Sequence, residues 1–168
     1  TFSGINADRS SYNGNYAQVY KLDSSGAVTT DFDNFSCIEY IKCSDYIDTI
    51  KGDTSGNSIL AGAGDDTIFL DASGADYIDG GTGSETSHDT VDYSGADFTA
   101  ALSNVRVTLS DSTTATAMIA NGDSDILNNV ENIIGTNYSD SNNATLEDSI
   151  VGNSSNNTLS GLAGNDYL

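Results

Sequence analysis

The stretch from Ala61 to Phe69, Ala-Gly-Ala-Gly-Asp-Asp-Thr-Ile-Phe, constrains the fold of this chain more than any other. It fits the nonapeptide G-G-x-G-x-D-x-U-x, U being a large aliphatic residue, at every defined position but the first. Glycines allow backbone conformations that a β-carbon forbids, so the first half of the unit turns tightly and exposes its carbonyls. The sixth-position Asp66 adds a hard carboxylate oxygen, the donor type that a calcium ion prefers. Thr67, Ile68 and Phe69 then make a very short strand, with Ile68 facing inward and its neighbours outward. One turn and one short strand form one rung.

The unit has neighbours in register. Gly52 to Leu60 is the rung before it, with Asn57 at the acidic position and Ile59 as the core residue. Leu70 to Asp79, ten residues long, is the rung after it, with Asp76 and Ile78. Gly80-Gly81-Thr82-Gly83 opens another, whose Asp89 and Val91 are delayed by a four-residue insertion, Glu85 to His88. Asp48 and Ile50 lie nine residues upstream of Asn57 and Ile59. Near the end, Gly152 to Ser160 is an unbroken unit with Asn157 and Leu159, and Gly161 to Leu168 starts one more with Asp166.

A longer period lies above this one. Ile38-Glu39-Tyr40-Ile41 resembles Val130-Glu131-Asn132-Ile133 at an offset of 92 residues, and Ala63-Gly64-Asp65-Asp66 resembles Ala163-Gly164-Asn165-Asp166 at an offset of 100. The sequence therefore reads as two tandem modules. The first spans 1–92 with its nonapeptide block at about 44–92; the second, truncated, spans 93–168 with its block at about 135–168. The expected context is a longer array.

Between the blocks, Tyr16 to Leu22, Ala27 to Phe35, Val105 to Leu109 and Thr116 to Ala120 alternate apolar and polar residues and are rich in strand formers. Ser24-Ser25-Gly26 and Asn121-Gly122-Asp123 are turn signals. No stretch sustains a 3.6-residue period. The expected fold is all-β, a parallel β-roll or β-helix solenoid in which longer-stranded coils alternate with short-stranded coils bearing calcium-binding turns.

Charge narrows the partners. Asp and Glu number 25 against 5 Lys and Arg, a formal charge of −20. Such a surface repels nucleic acid and anionic lipid, so no nucleic-acid partner is expected. No apolar run approaches the ~20 residues that cross a bilayer, so no membrane insertion is expected either. The charge reads instead as a reservoir of cation ligands.

In a roll, successive short strands alternate between two sheets, and each turn stacks on the turn two rungs away. Asp48, Asp66 and Asp89 then share one edge, with Asn57 and Asp76 on the other. Asp148 and Asp166 share an edge in the second block, with Asn157 opposite. The candidate calcium ligands are these residues, with Asp53 and Asp71 at the second position of their turns and the turn glycines Gly62, Gly64, Gly81 and Gly83. Asn57 and Asn157 offer only a neutral oxygen, so their sites are expected to be weaker or empty. Several ions are expected, and some of the aspartates are expected only to cap turns. One core residue per nine is little burial with which to order a turn. At an affinity of ~10⁻⁴ M, millimolar calcium would add ~1.4 kcal/mol per site.

These residues resemble the RTX (repeats-in-toxin, haemolysin-type) calcium-binding repeat family, over Gly52 to Val91 and Gly152 to Leu168. The resemblance implies export by a type I secretion machine, folding in calcium-rich medium and an extracellular or bacterial cell-surface location. It also implies a role shared among toxins, secreted enzymes, adhesins and surface-layer proteins. No H-E-x-x-H helix, G-x-S-x-G elbow or Walker loop is present, and His88 is the only histidine. No enzymatic activity is expected. Cys37 and Cys43 leave both a cross-turn disulfide and two buried thiols open. Tandem copies without catalytic motifs favour a structural module of a surface-layer or adhesin-type assembly, whose partners are calcium and copies of itself or neighbouring modules. The alternative is a calcium-triggered export and folding tail of a secreted enzyme or toxin. An ice- or sugar-binding array is less favoured, because Thr113, Thr114 and Thr116 do not recur with the period.

Overall fold

A computed structural model describes residues 5–8, 17–22, 28–35, 39–71, 73–82, 88–95, 104–111, 114–120, 122–138 and 147–168, with the backbone alone before residue 36. Every regular element among them is a strand: β1 (Ile5–Asp8), β2 (Ala17–Leu22), β3 (Val28–Phe35), β4 (Tyr40–Lys42), β5 (Thr49–Lys51), β6 (Ser58–Leu60), β7 (Thr67–Phe69), β8 (Tyr77–Asp79), β9 (Thr90–Asp92), β10 (Val105–Thr108), β11 (Thr114–Ile119), β12 (Ser124–Asn128), β13 (Asn132–Ile134), β14 (Ser149–Val151) and β15 (Leu159–Ser160).

They form two sheets. One runs β15-β13-β9-β7-β5-β1-β2-β3 and the other β14-β10-β11-β12-β8-β6-β4. From β4 to β9 each strand crosses to the opposite sheet, because a turn of about six residues reverses the chain without room for a neighbour in the same sheet. Strands therefore pair parallel with the one two rungs away: Ile50 aligns with Ile68 and then Val91, and Ile41 with Ile59 and then Ile78. This is the parallel β-roll that the repeat implies.

The period-2 pattern of three-residue strands sends one side chain inward per rung. Ile50, Ile59, Ile68, Ile78, Val91, Ile133 and Ile150 are all 0% exposed and form the core between the sheets. Their flanking residues are more exposed, except Asp92 beside Val91, which is buried.

The longer segments depart from the expected parallel coils. β10, β11 and β12 are an antiparallel meander, and so are β1, β2 and β3. The connection around Gly122 is too short for a crossover to the other sheet, so β11 folds back on its neighbour as a hairpin. The meander is nonetheless seamless with the roll: β12 pairs parallel with β8, and β10 with β14. Both sheets run on across residue 92, the other through β13 on β9. The turn signal at Ser24-Ser25-Gly26 lies outside the described residues. Cys43 carries a free, half-buried thiol against the core, and Cys37 lies outside the described residues.

Candidate metal centre

Each rung enters its strand through the same triplet, an acid or amide, one outward residue and an inward aliphatic. The first member of the triplet lies at the end of the turn, so its side chain runs along the roll between stacked backbones. Asp66 Oδ1 accepts the Asp48 N–H at 2.7 Å, Asp89 Oδ1 accepts the Asp66 N–H at 2.9 Å, and Glu131 Oε2 accepts the Asp89 N–H at 2.9 Å. On the opposite edge Asp76 Oδ1 accepts the Asn57 N–H at 2.7 Å and Asp125 Oδ1 the Asp76 N–H at 3.0 Å. A third ladder runs from Asp166 to the Asp148 N–H at 3.0 Å, and from Asp148 to the Val105 N–H at 2.8 Å. Each of these accepting carboxylates satisfies an amide one stacked rung away, whereas Asp48, at the end of its ladder, accepts the Ser44 N–H at 2.8 Å within its own turn.

The ladders bury their acids. Asp48, Asp66, Asp76, Asp89, Asp125 and Asp148 are each at most 3% exposed. Burial pushes the Asp76 and Asp89 carboxyls up to about 8, and those of Asp66, Asp125 and Asp148 to about 6; the amide hydrogen bonds pull the other way. Asp166, less buried, is also raised, again first by desolvation. Neighbouring carboxylates add to the upward shift in each case, and no lysine or arginine opposes it. Cys43, beside Asp48 and Asp66, has its thiol pushed up to about 12, by burial first.

The second-position acids behave differently. Asp53 Oδ1 accepts the Ser55 N–H at 3.0 Å and Asp71 Oδ1 the Ser73 N–H at 2.9 Å, so each caps its own turn. Asn57 Oδ1 accepts the Asp53 N–H at 3.0 Å, and Asn157 Oδ1 the Asn153 N–H at 2.9 Å. The amide of Asn157 also donates to the Glu131 carbonyl at 2.9 Å. Gly62, Gly64 and Gly81 have φ of 115°, 136° and 102° and lie where turns stack. A Cβ at Gly81 would meet the Gly62 carbonyl, and one at Gly62 the Ser44 carbonyl. Gly83 lies outside the described residues.

Sequence reasoning missed Asp125, Glu131 and Tyr93. Asp125-Ile126-Leu127 and Glu131-Asn132-Ile133 repeat the acid–x–aliphatic triplet without its glycines, and that triplet is the signal that would have found them. The fully buried Tyr93 donates its hydroxyl to Asp125 Oδ2 at 2.9 Å, and Asp125 in turn holds the Tyr93 hydroxyl well above its usual range, behind the larger effect of burial.

The residues fit a hard cation. Asp66 Oδ2 is buried without any hydrogen-bond donor among the described residues, and the like charges of Asp48 and Asp65 push its carboxyl up further. Among the described residues no three acidic, histidine or cysteine side chains gather closely enough to hold an ion by themselves. The remaining oxygens would come from the carbonyls of the glycine turns, which suits calcium, an ion of six to eight oxygen ligands.

Residues 44–73 and 145–168 match the RTX calcium-binding nonapeptide repeat, in four copies. The chain carries calcium-binding repeats of the RTX type, a structural rather than a catalytic unit and one typical of secreted proteins. A search of curated proteins gave no match.

Proposed function

We propose that this chain is a calcium-dependent structural module of an extracellular protein exported by a type I machine, of the surface-layer or adhesin kind. The observation that carries the reading is Asp66 Oδ2, buried within the ladder of stacked carboxylates without a hydrogen-bond donor among the described residues. Asp48, Asp66 and Asp89 hold one edge, Asp76 the other, and Asp148 with Asp166 the second block; Gly62, Gly64 and Gly81 shape the turns whose carbonyls complete the ligand shells. Asn57 and Asn157 engage their oxygens on backbone amides and serve as weak ligands or none. Asp53 and Asp71 cap first and ligate second. Bound calcium supplies the positive charge that lets neighbouring acids ionise together. The continuous sheets suit a rod-like structural element better than a detachable export tail.

The test is far-UV circular dichroism of the chain during calcium titration, with magnesium as control. The expected result is a cooperative gain of β signal at submillimolar to millimolar calcium, with little effect of magnesium. A β signal already complete in chelator at about pH 8, where the ladder acids ionise, would refute the calcium reading.

A further inference from the structure

The outer face of the seven-stranded sheet carries a feature that metal binding does not use. Register aligns one outward residue from each strand in a row: Tyr40, Ser58, Tyr77 and Ile126, then Thr116, Thr108 and Val151. The row holds no charge, in a chain of net −20. Its large side chains are open to solvent, with Tyr40 at 57%, Ile126 at 42%, and Tyr77 and Val151 at 38% exposure, beside the exposed Thr108 and Thr116. Met118, Arg106 and Tyr167 flank it on one side, and Lys42 and Asp79 on the other. Of the ten large hydrophobic residues exposed among the described ones, six lie on this face.

We infer that this face is the surface by which a second copy of the chain packs, sheet to sheet. Two copies of a strongly anionic molecule repel each other wherever their acidic turn edges approach. Here the described charges are Lys42 and Arg106 against Asp79, so this surface lets like copies meet without opposing carboxylates. β12 is the middle strand of the seven. A twofold axis parallel to β12 stacks Ile126 on its own copy and sets Tyr40 against Val151 of the second molecule. Seven strands at ~4.8 Å make a face about 34 Å long. With a width of only a few residues, it falls short of the ~800 Å² per partner of a stable complex. Pairing is therefore weak for one module and gains strength through repetition along an array. The surface deepens the structural role proposed above and rests on the folded roll.

Sedimentation velocity of the full chain in saturating calcium, over rising concentration and at two salt levels, tests this, with circular dichroism on every sample. The wild type is expected to show a concentration-dependent second species, favoured by salt because screening relieves the repulsion of −20 charges. Ile126→Lys and Tyr77→Lys are expected to weaken association at least tenfold with an unchanged β signal. Thr67→Lys, on the other sheet, is expected to keep it, since an added cation lowers net repulsion. A folded wild type that stays monomeric, or equal loss in Thr67→Lys, would overturn the inference. So would retention of a monomeric wild type on a neutral polysaccharide gel that Tyr77→Ser abolishes, which would assign the row to a sugar. A chain already folded in chelator at about pH 8 would refute the calcium reading alone and leave this surface to the same sedimentation result.

Discussion

Asp66 places one oxygen on the Asp48 amide and leaves the other buried without a donor. Asp66→Asn keeps the first contact and removes the unpaired negative charge. The variant should therefore be more stable than the wild type in chelator, yet need severalfold more calcium to fold fully. Equal calcium midpoints in a circular dichroism titration would rule this out. Asp125 lies outside the matched repeats but receives both the Asp76 N–H and the Tyr93 hydroxyl. Asp125→Ala strands two buried donors, at ~1–3 kcal/mol each, and should lower the melting temperature even in saturating calcium. The acids also set an unusual pH dependence. With folded values near 8 for Asp76 and Asp89 and near 6 for Asp66, Asp125 and Asp148, the metal-free roll holds protons that the unfolded chain releases at about 4. Its stability is thus full below about pH 4 and is lost as pH rises through 6 and 8. Calcium requires the ionised forms, so its midpoint concentration should rise as pH falls from 8 towards 6. Melting in chelator at pH 5 and pH 8 checks the sign; greater stability at pH 8 would contradict it.

At the scale of the element, the rung is a turn that must stack closely and a strand that must bury one side chain. Gly81 and Gly122 separate two reasons for glycine. Both have positive φ, 102° and 97°, but a Cβ at Gly81 meets the Gly62 carbonyl, whereas one at Gly122 meets open space. Gly122→Ala should cost only backbone strain, ~1–3 kcal/mol. Gly81→Ala should cost more, because two turns must separate. Urea melts in calcium order the two variants; a reversed order would show that stacking is not what requires Gly81. The short strands were legible because period and core residue are written into each nonapeptide. The direction of the longer ones was not. Alternation in Val105-Arg106-Val107-Thr108 tells which side chains are buried but is the same for a parallel and an antiparallel neighbour. The brevity of the connection at Gly122 decides for the hairpin.

For the whole molecule, both sheets pass from the first nonapeptide block into the second half without a break. Asp89 is capped by Glu131, and Asp76 by Asp125. The two modules read from the sequence are therefore proposed to fold as one cooperative unit. A single urea transition is expected in calcium, with the amides of Ile68 and Ile133 protected alike in hydrogen exchange. Two resolved transitions would show that the modules stand alone.

The sequence by itself determined the rung: where the chain turns, which aliphatic enters the core and which acid precedes it. These are local properties of nine residues, set by glycine at the turn and by side-chain alternation in the strand. Only the tertiary structure decided which rungs stack and what each acid meets. The amides capped along the ladders lie 18 to 49 residues away in the chain. That distance depends on which sheet every intervening strand joins, so Asp125, Glu131 and Tyr93 became part of the ladders only once the chain was folded.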